Sequence, residues 1–209
     1  MESIDLLIGR YPKLIGCRGE ILRAAELLTE TFRRGGTLFT CGNGGSAADA
    51  DHIVGELAKG FLKKRPLPAG LRDALSAAYP DGEDLARGLQ GGLAAVSLHS
   101  QSALHTAFAN DCDPVLAYAQ ALYALGKPGD ALLAISTSGN SKNCVAAAKL
   151  AKVRGIAVLA LTGERESALS ALADCAVRVG DHETYRVQEL HLPVYHWLCA
   201  KIEETFFEE

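Results

Sequence analysis

The 209-residue sequence is short of aromatic side chains, of charge of one sign and of long apolar runs, and each shortage closes off a class of function. Aromatics make up 6% of the chain, too few for a surface on which bases stack. Lys and Arg number 21 against 25 Asp and Glu, a formal net charge of -4, so no basic footprint marks a nucleic-acid partner. No stretch approaches the ~20 apolar residues of a spanning helix, so no membrane partner is expected. The start, Met1-Glu2-Ser3-Ile4-Asp5, has no basic segment leading into an apolar one, and a secretory leader is not expected. The six cysteines (Cys17, Cys41, Cys112, Cys144, Cys175, Cys199) include no CxxC pair and read as small buried residues of a reduced, cytoplasmic protein. What is present, 48% hydrophobic residues, suffices for one full core and hence one domain over 1–209.

Ile21, Leu22, Ala25, Leu28 and Phe32 recur at helical spacing over about 15–34, and Gly35-Gly36 stops that helix. Thr37–Cys41 is β-prone and runs into Gly42-Asn43-Gly44-Gly45-Ser46 and an alanine-rich helix. The same grammar returns at Asp130–Ile135, the turn Ser136-Thr137-Ser138-Gly139-Asn140-Ser141, and a helix to about Arg154. Ile156–Leu161 and Cys175–Val179 read as two more strands around a short helix at Ala168–Ala173. Continuous apolar strands alternating with helices predict an α/β fold whose parallel sheet is covered on both faces. The last segment, Gln188 to about Phe206, has helical periodicity but contains Pro193. Residues 66–100, punctuated by Pro and Gly around two short helical patterns, are either a helical insertion or a lid.

Both special turns fall beyond the carboxyl ends of predicted strands, where open parallel sheets bind ligands. A helix start offers unpaired N–H groups and the positive end of the dipole, which suit a phosphate. Ser136, Thr137, Ser138 and Ser141 add four hydroxyls, and Gly139 allows close backbone approach. Serines that only cap the helix are the plain alternative. Gly42–Ser46 is neither a GxGxxG fingerprint nor a P-loop, so no nucleotide cofactor is expected, while Asn43 and Ser46 suit polar contacts to a sugar.

CGNGGSAADADHIVGEL at 41–57, AFAND at 107–111, GDALLAISTSGNS at 129–141, LALTG at 159–163 and RVQELHLPVYH at 186–196 stand in order along the chain. Together they resemble the SIS (sugar isomerase) fold and, within it, the sedoheptulose 7-phosphate (phosphoheptose) isomerases. The resemblance implies a flavodoxin-like three-layer α/β/α sandwich with a mostly parallel sheet, and a homotetramer whose sites are shared between subunits. It implies conversion of sedoheptulose 7-phosphate to D-glycero-D-manno-heptose 7-phosphate through an enediol. Asn43, Gly44, Gly45, Ser46, Asn110, Asp111 and Gln188 would contact the sugar phosphate, and Ser136, Thr137, Ser138 and Ser141 would hold its phosphate. Glu56 and His196 would be the acid/base pair, and His52, Glu56, Gln188 and His196 match the ligands of relatives that bind zinc.

The residue types suit that chemistry, because carboxylate and imidazole move protons near neutral pH. His52 and Glu56, four apart on a predicted helix, share one face about 6 Å apart along its axis. Gln188 and His196 are eight apart, ~12 Å and ~80° in an ideal helix, too far for one straight helix to bring both to one ion. Either regular helix begins near Pro193, with Gln188 in an irregular lead-in, or the two serve different subunits' sites. His191 competes as a candidate with a plain role as a partly buried helix residue. His99, His105 and His182 have no supporting spacing. Tyr185 and Lys59-Gly60 depart from the heptose-isomerase pattern, and Lys59, Lys63, Lys64 and Arg65 either replace a basic contact or form a solvated face. Two other readings use the same turn without turnover: a SIS protein that binds a regulatory partner, and a sugar-phosphate sensor. Both could dispense with Glu56 and His196, which this chain retains.

Overall fold

The computed structural model describes residues 3–207, so the reading of the N-terminus falls partly on Met1 and Glu2, outside the described residues. The elements run α1 (Ile4–Arg10), α2 (Arg18–Arg33), β1 (Leu38–Cys41), α3 (Gly45–Ala58), α4 (Ala69–Ala78), α5 (Gly82–Gly88) and β2 (Ala95–Ser97). They continue α6 (Ser102–Asp111), α7 (Ala117–Leu125), β3 (Ala131–Ile135), α8 (Lys142–Val153), β4 (Ala157–Thr162), α9 (Ala168–Leu172), β5 (Cys175–Arg178) and α10 (Thr184–Phe206). Every strand pairing is parallel and the order is β2-β1-β3-β4-β5, so the chain reverses direction across the sheet between β1 and β3.

Strand alternation divides the core in two. Ala131, Leu133 and Ile135 of β3 face a layer built on α1, α2, α3 and α10. Leu132 and Ala134 face the other layer, on α7, α8 and α9. Both faces are covered, which is why β3 and β4 read as unbroken apolar runs rather than as alternating ones. The flavodoxin-like three-layer α/β/α sandwich is thus the fold that forms. Gly35 and Gly155 end α2 and α8 with φ of +70° and +68°, the left-handed turn that L side chains resist.

Two expectations are revised. α10 begins at Thr184 and runs through Pro193 without interruption, so Gln188 stands inside regular helix rather than in an irregular lead-in. Proline removes one N–H, but Val187, Leu190, Val194, Tyr195, Leu198 and Ile202 pack α10 onto the sheet, and that burial outweighs the local loss. Residues 66–100 hold a helical pair, α4 and α5, but end in β2, which pairs with β1 as the edge of the sheet. A strand of three residues is too short to leave a period in the sequence.

Among the described residues no helix is long and apolar enough to cross a membrane. All six cysteines are unpaired; Cys112 is exposed and the other five are buried.

Candidate active site

The parallel pairing of β1 with β3 brings Gly42–Gly45 and Ser136–Ser141 side by side, at the point where the strand order reverses. An amide pair joins the two turns: Asn43 Nδ2 donates to Asn143 Oδ1 at 2.9 Å, and Asn143 Nδ2 donates back to Asn43 Oδ1 at 2.8 Å. Tyr118 Oη donates to Gly42 O at 2.5 Å and secures the first turn from α7. Gly44 needs its φ of +55°, and a Cβ on Gly45 would stand 2.6 Å from Gln188 Nε2. Glycine at 45 therefore makes the room in which Gln188 reaches the turn. Ser46 is buried against Gly42, beneath the turn rather than at its mouth.

The serine turn is shaped by Gly139, whose φ is +65° and whose absent Cβ leaves space for Ser167. Ser141 occupies the N-cap position of α8, yet its hydroxyl makes no cap bond. It lies instead 2.9 Å from Ser136 Oγ. Plain capping therefore does not account for Ser141. Ser138 Oγ, exposed, accepts from Asn140 N at 3.2 Å and keeps its own proton to donate. Thr137, Ser138 and Asn140 line a cavity of about 190 Å³ that also meets Arg165 and His182. Glu164 and Glu166 line it too, and His182 is bonded to Glu164, so the cavity beside the turn is of mixed charge.

Acid and base candidates meet along the seam of α3 and α10. His52 Nε2 lies 3.1 Å from Glu56 Oε1, as the four-residue spacing implied. The rings of His52 and His196 meet edge to face, with centroids 5.0 Å apart. Phe61 packs against His196 with ring centroids 5.6 Å apart. Burial raises the Glu56 pKa, but the hydrogen bond and charge of Lys59, and then those of His52, outweigh it and hold the carboxyl below its usual range. Lys59 Nζ donates to Glu56 Oε2 at 2.9 Å. Burial and then the neighbouring His52 hold the His196 pKa below its ordinary value. His196 Nε2 is buried with no hydrogen-bond partner, a polar atom whose bonding capacity the chain itself leaves unused.

Gln188 is level with Gly45, whereas His196 is level with His52, seven residues or ~10 Å further along α3. The four side chains expected for zinc therefore split into two levels of one seam. Their chemistry suits the ion, with two imidazoles, a carboxylate and an amide oxygen. Their arrangement does not, since among the described residues no three His, Cys, Asp or Glu side chains converge as a metal needs, and His52 is turned onto Glu56.

Glu56 lies ~16 Å along α3 from the glycine turn. Leu57 O, next to it, accepts from Leu93 N, and Ala94 O accepts from Leu38 N at the start of β1. Glu56 thus stands near the amino edge of the sheet, while the serine turn stands at the carboxyl edge. Asn110 and Asp111 are exposed at the end of α6, bonded to each other at 2.9 Å and to neither turn.

A profile of the SIS domain family matches residues 17–78 and 84–163. Over 189 residues the chain is 38% identical to a phosphoheptose isomerase of Roseiflexus sp., covering 90% of this chain and 83% of the relative. The chain belongs to the phosphoheptose isomerase family of SIS-domain proteins. This SIS-domain chain is also 35% identical over 216 residues to a phosphoheptose isomerase of Thermodesulfovibrio yellowstonii, covering 100% of this chain and 95% of that one. The solved phosphoheptose isomerase of Neisseria gonorrhoeae superposes with a TM-score of 0.71 at 29% identity, covering 95% of this chain and 97% of that one.

Other residues near the seam carry no spacing signal. Arg65 is buried rather than part of a solvated run: it donates to Glu203 Oε1 at 2.8 Å and to the carbonyls of Leu57 and Glu56 at 2.7 and 3.0 Å. His191 is wholly rather than partly buried, and burial pushes its pKa down to about 4, so it is a neutral core residue. His99 bridges Ser97 Oγ at 2.7 Å and Asp51 Oδ2 at 2.8 Å, His105 meets Leu98 O at 2.8 Å, and His182 meets Glu164 Oε1 at 3.0 Å. Tyr185 is exposed and accepts from Arg186.

Proposed function

We propose that this SIS-domain protein isomerises a ketose phosphate to an aldose phosphate, with sedoheptulose 7-phosphate as substrate and D-glycero-D-manno-heptose 7-phosphate as product. The observation that carries the reading is the serine turn, whose hydroxyls are not spent on capping α8 at a helix start that favours a dianion. Ser136, Thr137, Ser138 and Ser141 hold the phosphate, and Asn43, Gly44, Gly45 and Gln188 bound the sugar. Glu56, ionised beside Lys59, removes a proton from C1 of the ketose to give the enediol and returns it to C2. His196, neutral and with Nε2 free, takes the proton of the C1 hydroxyl and gives it to the oxygen on C2. Atoms balance, and no oxidant is needed.

The separation of Glu56 from the serine turn within one chain supports a site completed by a second copy, as in a homotetramer. α4 and α6 bury none of their residues in the monomer, and Leu71, Tyr79, Leu85 and Leu89 are 44–60% exposed on α4, α5 and their flanks. Short helices without a buried face are marginal alone, and a partner copy would supply one. Asn110 and Asp111, at the end of α6, then face a neighbour's site. His52, Glu56, Gln188 and His196 could hold zinc only if His52 turned away from Glu56 and Gln188 reached the level of His196, so the proton transfers are assigned to the side chains alone. The unpaired cysteines support a reducing, cytoplasmic location.

The test is to incubate the purified protein with sedoheptulose 7-phosphate and a panel of other ketose and aldose phosphates, with and without zinc, and to follow the aldose by NMR. Turnover restricted to the seven-carbon substrate is expected. Binding without turnover, or full activity in Glu56→Gln, would defeat the catalytic reading and favour a sensor. Elemental analysis of the protein before and after chelation reports on the metal independently of activity.

A further inference from the structure

Three hydrogen bonds meet at the Asn143 amide, in the first turn of α8, and they bear on both turns of the candidate site. Its Oδ1 accepts from Asn43 Nδ2 at 2.9 Å and from Cys144 N at 3.0 Å, and its Nδ2 donates to Asn43 Oδ1 at 2.8 Å. A backbone N–H can only donate, so Cys144 fixes which end of the Asn143 amide faces it. The Asn43 amide is fixed in turn, because a reciprocal pair closes only with each oxygen against the other's NH2. Asn43 then has a second N–H whose one acceptor is the weak Cys144 Sγ at 4.0 Å, and that hydrogen is available to a sugar hydroxyl.

The bond to Cys144 N matters at the other turn. Ser141 is the N-cap of α8 and Cys144 its third residue, whose N–H a capping hydroxyl ordinarily takes. Here Asn143 takes it, and the Ser141 hydroxyl lies against Ser136 Oγ at 2.9 Å instead. One side chain thus accounts for the set of Asn43 and for the hydroxyl that capping leaves unspent. Stability alone does not call for this arrangement. Asn43 is exposed and Asn143 half-buried, so water could serve both amides, and Ser141 could cap the helix itself.

We propose that Asn143 is a positioning residue for both turns: it orients the Asn43 amide toward the sugar and keeps the Ser141 hydroxyl for the phosphate. The inference rests on the isomerase reading for its ligand, but not for its geometry. Asn43 and Asn143 are 100 positions apart, and the pairing of β1 with β3 is what puts them side by side.

The experiment places Asn143→Ala in the full chain twice, once in the wild type and once in Asn43→Ala/Ser141→Ala. Both kcat and KM for sedoheptulose 7-phosphate are measured with and without the change in each background. In the wild type, Asn143→Ala should raise KM about 10-fold or more with a smaller change in kcat, since the contacts it disturbs serve ground and transition states alike. In the second background it should move kcat/KM by less than about 2-fold, because the two groups it acts through are gone. A merely structural role would cost the same in both. Equal losses, or no loss in the wild type, overturn the proposal. Asn143→Gln, which keeps the amide but displaces it by one carbon, goes through the same backgrounds if Asn143→Ala does not fold. If the wild type binds the sugar phosphate without turnover, the isomerase reading fails, and the same comparison made in Kd by titration calorimetry decides the role of Asn143. If it neither binds nor converts sedoheptulose 7-phosphate, both fail.

Discussion

Glu56 sits between two opposed influences, burial that raises its pKa and Lys59 that lowers it, and Lys59 prevails. As the proposed base Glu56 acts in its ionised form, so activity is expected to fall as pH drops through its pKa. Lys59→Met removes the nearest cation and raises that pKa. The acid limb of kcat/KM should therefore move to higher pH, and a pH–rate profile with an unmoved limb would show that Lys59 does not act on Glu56. Ser138 is exposed with a free proton at the phosphate turn, where its contact is made equally in ground and transition states. Ser138→Ala loses a hydrogen bond to a charged group, about 1.5–3 kcal/mol, and should raise KM about 10-fold or more with a smaller change in kcat. Steady-state kinetics against substrate concentration separates the two constants.

At the scale of elements, the end of α3 is held from a distance. Arg65 binds its last carbonyls, and Glu203 of α10 accepts from Arg65 and from the N–H groups of Phe61, Leu62 and Lys63. Through this staple Lys59 is brought onto Glu56 and Phe61 onto His196. Arg65→Met leaves the Glu203 carboxylate buried without its cation, a loss of about 3–5 kcal/mol that should lower Tm by roughly 6–20 °C. Differential scanning calorimetry reads it, and a Tm within a degree of wild type would show that the backbone N–H groups alone satisfy Glu203. The continuity of α10 through Pro193 belongs to this scale too. It places Tyr195 and His196 on the same rigid element as Gln188, two turns apart.

For the whole molecule, the decisive fact is that the hydroxyl turn and Glu56 lie at opposite edges of one sheet. A shared site makes a specific forecast for mixtures. Assayed at substrate concentrations far below the raised KM, Ser138→Ala/Ser136→Ala and Glu56→Gln/His196→Ala chains are each expected to show little activity alone. Unfolded and refolded together, they should recover activity of the order of a quarter of wild type, because random pairing brings two intact halves together that often. No recovery in mixed oligomers verified by mass spectrometry would mean that each site is built within one chain.

Local signals settled much of this in advance. Apolar runs of strand length, glycines at helix ends and the hydroxyl turn after Ile135 are set by neighbours in sequence, so the parallel sheet and a hydroxyl-rich turn at a helix start were legible without coordinates. The four-residue spacing of His52 and Glu56 was legible for the same reason, since one helix turn fixes it. β2 was not, because three residues carry no period. The role of Arg65, the Asn43–Asn143 amide pair and the Asp49–Tyr195–His52 contact were also hidden. Each joins residues separated by up to 146 positions, and such contacts exist only once the sheet order has brought α3, α8 and α10 together. The sequence by itself determined the layers and the two turns. Only the tertiary structure decided that the hydroxyl turn and the His52–Glu56–His196 cluster stand apart in one chain, because helix length and strand direction carry them to opposite edges.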